Sequence, residues 1–149
     1  MFNLWLEYPS YKEEIKIVET TTSEYKAKLD KVLSANEIME FQDLVRKVPV
    51  AENVIEFAVK VSNMTRPTNG NSPQFIKDWI TWGAGPRASQ YMILSAKTRA
   101  IINGRYTPNI EDVKLAMLPV LRHRIITNFS AEAEGIKSVD VIERLSREI

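Results

Sequence analysis

A break at two glycines, in the middle of the chain, leads into a long helical pattern. An apolar segment, residues 75–82, runs into Gly83 and Gly85, and Pro86 then opens the helical pattern. Glycine permits a sharp turn between two segments, and proline fits the first turn of a helix, where its missing N–H group costs nothing. The spacing therefore predicts a helix that begins at Pro86 and has Arg87 in its first turn.

Arg87 is expected at the helix end that disfavours a cation. The unpaired N–H groups of the first turn already make that end electropositive, so a positive charge there costs about 0.3–1 kcal/mol. No carboxylate lies between Asp78 and Glu111 to offset the charge. The arginine could therefore receive an anion, most naturally a phosphate. It could also pair with a distant acid or lie on the surface, and local chemistry alone favours this second alternative.

The remainder of the chain consists mainly of predicted helices. Ser10 and Ser34 are each followed three residues later by glutamate, the spacing of a capping box, and Thr107 precedes Pro108 in the order N-cap then proline. Residues 23–32 are predicted to be a connector and residues 68–73 an exposed loop. The fold class is mainly all-α, a bundle of about six helices. Helical periodicity covers residues 11–20, 34–48, 54–64, 75–80, 86–102, 107–121 and the segment from 138 onward.

The first residues have the pattern of a short strand without a partner. Phe2, Leu4, Leu6 and Tyr8 recur with the period of two that is typical of a strand. Few later segments could pair with it, so we expect its partners upstream of residue 1. Because an unpaired apolar strand invites edge pairing, we expect residues 1–6 to be frayed or paired with another molecule or with residues 125–129.

Composition and motif content exclude several classes of protein. The net charge of +1 gives no support to a surface that coats a polyanion, and the absence of cysteine excludes disulfides and thiolate chemistry. No apolar run has the length that a membrane span needs. The sequence contains no Gly-Lys-Ser/Thr phosphate loop, and its single histidine, His123, has no carboxylates nearby to complete a zinc site. We expect a cytoplasmic chain that has no metal site and is not an independent enzyme.

Two further groups of side chains allow two interpretations each. Arg122, His123 and Arg124 could bind phosphate or nucleic acid, but a basic helix end also complements the negative end of the helix dipole, and the latter is more common. Trp79 and Trp82 could stack on a base, although their apolar spacing favours packing in the core or at a domain interface.

A series of short motifs occurs along the chain in a fixed order. They are Tyr8-Pro9-Ser10, Val48-Pro49-Val50, Thr65-Arg66-Pro67, Trp82-Gly83-Ala84-Gly85-Pro86-Arg87-Ala88, Gly104-Arg105-Tyr106, Val120-Leu121-Arg122-His123-Arg124-Ile125 and Asn128-Phe129. Together they resemble the C-terminal third of MoxR-family AAA+ ATPases, over nearly the whole chain. The Gly-x-x-Pro-Arg-Ala and Leu-Arg-His-Arg elements are the most specific. In that family this region is a helical lid that packs beside an upstream α/β nucleotide-binding domain.

The resemblance implies a catalytic role for Arg87. Its motif is similar to the family's sensor 2 element, whose arginine reaches the phosphates of ATP across the active site. Arg87 is therefore expected to be catalytic and to bind ATP, with Gly85 and Pro86 beside it. Tyr8 and Pro9 lie where the core passes into the lid, so they could contact the adenine base or simply form an exposed turn. Magnesium is expected to be supplied by the core domain, and this chain alone is not expected to bind ATP tightly.

The resemblance also implies a domain organisation. Residues 1–9 would be the last strand of the nucleotide-binding core and its connection, and residues 10–149 the lid. Walker A, Walker B, sensor 1 and the arginine finger are expected upstream of residue 1, so this chain alone is expected to be inactive.

Two functions of different class follow from the sequence. In the first, the full-length protein is a chaperone-like ATPase that remodels or assembles client proteins, forms a homo-oligomeric ring, and has neither a membrane nor nucleic acid as a partner. In the second, the chain is a small all-helical module that binds protein or nucleic acid through Arg105 and residues 122–124.

Overall fold

The computed structural model describes residues 2–24 and 28–149, and within these residues the fold is mainly helical, as predicted. A two-stranded antiparallel sheet is the other regular element in the described part. The helices are α1 (Tyr11–Thr21), α2 (Ala35–Lys47), α3 (Glu52–Met64), α4 (Gln74–Trp79), α5 (Pro86–Ile102), α6 (Ile110–Leu121), α7 (Phe129–Ala133) and α8 (Ser138–Glu148), and the strands are β1 (Ile80–Trp82) and β2 (Ile126–Thr127). None of the described helices has the length and apolar character of a membrane span.

Both predicted capping boxes are present. The backbone N–H of Ser10 donates to Glu13 Oε2 at 2.8 Å, and that of Ser34 donates to Glu37 Oε2 at 2.7 Å. The side-chain hydrogen bond from Ser10 and the backbone hydrogen bond from Ser34 are the main causes that lower the pKa of Glu13 and Glu37, respectively. The two helix starts are therefore set by local sequence.

Helix α5 lies at the centre of the helical body. It packs against both α3 and α6, which also contact each other, and α8 packs against α6. Its inward side chains are small or slender, which lets the neighbouring helices approach closely. The core consists of residues from these four helices and from α4, including Val54, Ala58, Val61, Ile76, Ala88, Met92, Ala96, Val113, Met117, Val120, Val141, Ile142 and Leu145.

The predicted start of α6 at Thr107 was wrong by two residues. The N-cap is Asn109, whose side chain accepts from the backbone N–H of Asp112 at 3.0 Å, while Asp112 Oδ2 accepts from the backbone N–H of Asn109 at 3.0 Å. This reciprocal pair satisfies two N–H groups, which the Thr107-Pro108 pair does not do here. Pro119 lies inside the helix, which ends two residues later.

The sheet was not predicted. The helical pattern from residue 75 was expected to include Ile80, but α4 ends at Trp79 and residues 80–82 pair with β2 instead. Asn128 extends the contact, because its backbone N–H donates to Trp79 O at 2.9 Å. The apolar stretch 125–129 therefore provides strand β2 and the first residue of α7.

The N-terminal strand was also a wrong prediction. Residues 2–9 form no strand. Of the alternatives expected for this segment, pairing with residues 125–129 does not occur, and Ile126 and Thr127 pair with β1 instead. The backbone N–H of Asn3 donates to Pro119 O at 2.9 Å, but a single bond does not make a ladder. Met1 of this segment, and residues 25–27 of the predicted connector, lie outside the described residues.

The loop 68–73 is not exposed throughout, contrary to its polar composition. Ser72 is only 6% exposed, and its hydroxyl donates to the backbone oxygen of Arg66 at 2.7 Å. The buried hydroxyl ties the loop to the segment that follows α3.

Candidate functional site

Helix α5 begins with an uncapped N-terminus. Gly85 is the N-cap residue, in extended geometry at φ −83° and ψ −179°, and it has no side chain to accept from the first-turn N–H groups. Pro86 follows at the first helical position, as predicted, and Ala88 donates its N–H to Gly85 O at 3.0 Å. No acidic residue lies in the first turn. The positive end of the helix dipole is thus not compensated locally.

Arg87 adds a second positive charge at this uncapped end. Its side chain is exposed, and it forms no hydrogen bond or ion pair with any residue in the described part of the chain. Within the described residues, Arg87 therefore does not pair with a distant acid, which was one of the alternatives left open by the sequence. A free guanidinium at a helix N-terminus can bind an anionic group with its planar set of donors.

The backbone before α5 is held against the end of α3. The N–H of Ala84 donates to the hydroxyl of Thr65 at 2.8 Å, and Arg66 Nε donates to the carbonyl of Ala84 at 2.9 Å. At Gly83 a Cβ atom would lie only 2.4 Å from the backbone oxygen of Thr65, so only glycine fits this approach. The sequence motifs that contain these residues do not by themselves predict this contact.

Tyr8 and Pro9 lie in a different place from the start of α5. They line an open groove with residues 6 and 7 and the adjacent face of α1, and no α5 residue contributes to this groove. Tyr8 is 99% exposed. The structure therefore brings together Gly85, Pro86 and Arg87 of the predicted ATP-binding residues, but it does not join Tyr8 and Pro9 to them.

Arg105 is engaged in a structural ion pair. Its two terminal nitrogens each donate to one carboxylate oxygen of Asp112 at 2.7 Å, and Arg99 Nε lies 3.7 Å from the same carboxylate. The hydrogen bond from Arg105, opposed by burial, lowers the pKa of Asp112, and the same bond raises the pKa of Arg105. Two of the five N–H donors of Arg105 are thus committed to Asp112, which gives this arginine a structural role.

The basic group after α6 also has a structural explanation. Arg124 Nη1 donates to the carbonyl of Val120 at 3.2 Å, contacts the ring of His123, and lies over the Tyr91 ring at 5.3 Å. Partial burial, and then the charge of Arg124, lower the pKa of His123, which favours its neutral form. Arg124 thus satisfies a carbonyl at the helix end, the more common of the two interpretations.

The two tryptophans have different environments. Trp79 packs against Phe75 with ring centroids 5.9 Å apart, and Arg144 lies over both rings at 5.2 and 4.3 Å. Trp82 is 68% exposed and is not part of the core. Among the described residues, no group of three or more His, Asp or Glu side chains could hold a metal ion.

Comparison with known proteins identifies the domain. Residues 75–145 match the AAA lid domain. The chain is 30% identical over 146 residues to Chaperone MoxR1 of Mycobacterium tuberculosis (strain ATCC 25618 / H37Rv), which covers 97% of this chain and 38% of that protein. It also superposes on a solved structure of a candidate ATPase from Cytophaga hutchinsonii ATCC 33406, with a TM-score of 0.85 and 27% identity over 100% of this chain and 46% of that one.

The helical fold and these matches define an AAA lid domain. Its motifs predicted the lid of a MoxR-family AAA+ protein, and these matches are consistent with that prediction. It spans less than half the length of the curated relative and of the solved structure that it matches.

Proposed function

We propose that this chain is the lid of a MoxR-type AAA+ ATPase and that Arg87 is its sensor 2 arginine. The observation that carries the proposal is the free guanidinium of Arg87 in the first turn of α5, where neither an acid nor an N-cap side chain offsets the positive charge. An uncompensated charge of this kind is unfavourable in the isolated lid and becomes favourable when a polyphosphate approaches. ATP bound to the nucleotide-binding domain would supply that polyphosphate.

Arg87 suits the phosphate chain of ATP better than a lysine would. Its guanidinium is planar and always charged, and it can donate to two phosphate oxygens at once. Because negative charge spreads over the phosphate oxygens during phosphoryl transfer, a cation held on a rigid helix stabilises that charge without reorganising. The same contact would couple the position of the lid to the presence of nucleotide.

Gly85 has a role in this scheme that the fold alone does not give it. A Cβ at this position would meet no atom within 4 Å, and the backbone has a negative φ that other residues adopt readily. The lid therefore does not need glycine here for its own packing. A bare N-cap would leave the backbone N–H of Arg87 open to a phosphate, since Pro86 has no N–H and the N–H of Ala88 donates to Gly85 O.

Tyr8 and Pro9 remain candidates for contact with the adenine base. The exposed ring of Tyr8 is available to stack on a base, and its groove with α1 is open. The plainer explanation, an exposed turn before α1, fits the same observations. A contact with the base would require the nucleotide-binding domain to bring ATP to this groove.

The partner of the lid would be the nucleotide-binding domain of the same polypeptide. Within the described residues, α1 buries none of its side chains, and residues 2–9 are joined to the helical body by the Asn3–Pro119 backbone bond. We assign residues 1–9 to the core domain and its connection, and residues 10–149 to the lid. By the same family relationship, the full-length protein would be a cytoplasmic, ring-forming, chaperone-like ATPase that acts on client proteins.

Replacement of Arg87 in the polypeptide that contains both domains tests this function. Arg87→Ala should lower ATP turnover by about tenfold or more, because one charge-stabilising donor is lost. Arg87→Lys should restore only part of the activity, since lysine lacks the planar fork. The melting temperature should change little in both variants, because the side chain is exposed and forms no hydrogen bond, ion pair or ring contact within the described part of the lid.

Arg147→Ala is the matched control. Arg147 is also an exposed helical arginine, but it lies in α8, where it has an ion pair with Glu143 at 3.6 Å. Its removal should leave turnover unchanged. Wild-type turnover in Arg87→Ala would remove Arg87 from the ATPase site, and collapse of the fold would assign it a structural role instead.

A further inference from the structure

We propose that Thr65 and Arg66 are positioning residues for Arg87: they hold the backbone before α5 and so fix where the guanidinium meets the phosphates. The inference rests on the proposed function of Arg87. Thr65 and Arg66 precede Arg87 in the chain by 21 positions or more. Their side chains bind the main chain of Ala84.

Ala84 is held at both of its backbone groups by side chains. Its N–H donates to Thr65 Oγ1 at 2.8 Å, and its carbonyl accepts from Arg66 Nε at 2.9 Å. Both Thr65 and Ala84 are buried, so water does not readily replace these bonds. The close approach of Gly83 to the backbone of Thr65 leaves no room for the segment to slide.

Thr65 and Arg66, which together form a clamp on the backbone of Ala84, are themselves anchored to the end of α3. The hydroxyl of Thr65 donates to Ser62 O at 2.7 Å, which directs an oxygen lone pair toward Ala84. The backbone carbonyl of Arg66 accepts from the hydroxyl of Ser72 at 2.7 Å, and the backbone N–H of Arg66 donates to Asn63 O at 3.1 Å. The clamp is therefore a rigid extension of α3 and not a pair of flexible surface contacts.

Only Gly85 and Pro86 separate the clamped residue from Arg87. The N-cap offers no side-chain hydrogen bond, so the next side-chain support after the clamp is the bond of 2.8 Å between Ser89 and Ser62, which also ends on α3. Loss of the clamp would free the first turn of α5 to shift while the rest of the helix stays packed. A displacement of about 1 Å at a catalytic group can cost about a hundredfold in rate.

A double-mutant cycle on the two-domain polypeptide tests the inference. Arg66→Met removes the Nε donor and keeps the aliphatic stem. We expect it to lower ATP turnover about tenfold at a temperature well below its melting transition. If Arg66 acts through Arg87, the same change should have no further effect in the Arg87→Ala background. The cycle therefore requires turnover and KM for ATP of four proteins: wild type, both single variants and the double variant.

Thr65 provides a second, independent pair of variants. Thr65→Ser keeps the hydroxyl and should retain most of the turnover, whereas Thr65→Val leaves the Ala84 N–H without an acceptor and should behave like Arg66→Met. Asn109→Ala is the matched control for stability, since it removes a side-chain hydrogen bond at the start of α6 instead of α5. We expect this control to lower the melting temperature without reducing turnover at the lower assay temperature.

The outcomes separate the inference from the function on which it rests. An equal loss from Arg66→Met in both backgrounds would overturn the inference, because Arg66 would then act independently of Arg87. Wild-type turnover in Arg66→Met beside low turnover in Arg87→Ala would overturn it as well, and would leave the proposed function intact. Wild-type turnover in Arg87→Ala would overturn the proposed function itself.

Discussion

Asp112→Asn should destabilise the lid, because among the described residues Asp112 is the acid that forms ion pairs with Arg99 and Arg105. The carboxylate is 4% exposed, accepts two hydrogen bonds of 2.7 Å from Arg105, and accepts the N–H of Asn109 at 3.0 Å. The variant keeps the shape of the side chain but turns an amide toward the Arg105 guanidinium. The lost bonds are charge-assisted and lie at a helix start, so their effects combine.

The magnitude follows from the burial of the carboxylate. Removing one member of a fully buried ion pair costs about 3–5 kcal/mol. Arg105 and Arg99 are 36% and 42% exposed, so water solvates them once the carboxylate is gone, and we expect about 2–3 kcal/mol for Asp112→Asn. For a domain of this size the loss corresponds to a fall in melting temperature of roughly 5–10 °C.

Urea unfolding followed by circular dichroism at pH 7 measures this loss. Asp140→Asn is the matched control, because Asp140 also accepts a backbone N–H at the start of a helix, from Lys137 at 2.8 Å, but is exposed and has no arginine partner. The control should lose well under half as much stability. A loss in Asp112→Asn no larger than that of Asp140→Asn would refute the view that the buried ion pair stabilises α6.

The same variant has a predicted pH dependence. The pKa of Asp112 is lower in the folded chain, chiefly because of Arg105, than its value of about 3.9 in the unfolded chain. A carboxyl with a depressed pKa contributes stability that is present above the unfolded pKa and is lost as the pH falls through the folded pKa. The difference between wild type and Asp112→Asn should therefore be constant from about pH 7 to 5 and shrink below about pH 4.

Two further predictions concern the glycines and the N-terminus. Gly83→Ala should lower the free energy of unfolding by about 1–3 kcal/mol, since the new Cβ would lie 2.4 Å from a backbone oxygen. Gly85→Ala should change stability little, because its Cβ would meet nothing within 4 Å. Equal thermal stability of the two variants would contradict this prediction. Deletion of residues 2–6 should lower the melting temperature by less than about 4 °C, because the segment contributes one backbone hydrogen bond to the helical body; a larger fall would place it in the lid's own core.

Local signals in the sequence were enough to predict most helices. The capping box at Ser34, the proline at the start of α5 and Gly104 after its end each act within a few residues, so they can be read without tertiary structure. The start of α6 shows the limit of this approach. Two capping signals lie two residues apart there, and the reciprocal bonds of Asn109 and Asp112 decided between them.

Contacts between distant segments were not predictable from periodicity. Ile80 follows Ile76 at helical spacing, yet it pairs with Thr127 in the sheet. The helical pattern could not predict this pairing, because the partner lies far along the chain. The strand predicted at the N-terminus did not form although its residues alternate as in a strand, since a strand needs a neighbouring strand to form a ladder. The candidate site divides in the same way: the helix start at Arg87 was local and predictable, and the clamp on Ala84 was not.

The position of the Arg87 guanidinium in a nucleotide complex decides whether Arg87 acts as the sensor 2 arginine. A structure of the polypeptide that contains the lid and its nucleotide-binding domain, with a non-hydrolysable ATP analogue and magnesium, gives the distance from Arg87 to the phosphate oxygens. We predict a charge-assisted contact of about 2.7–2.9 Å to at least one of them. A closed, nucleotide-bound structure in which Arg87 instead points into solvent, with no phosphate within reach, would contradict its assignment as the sensor 2 arginine.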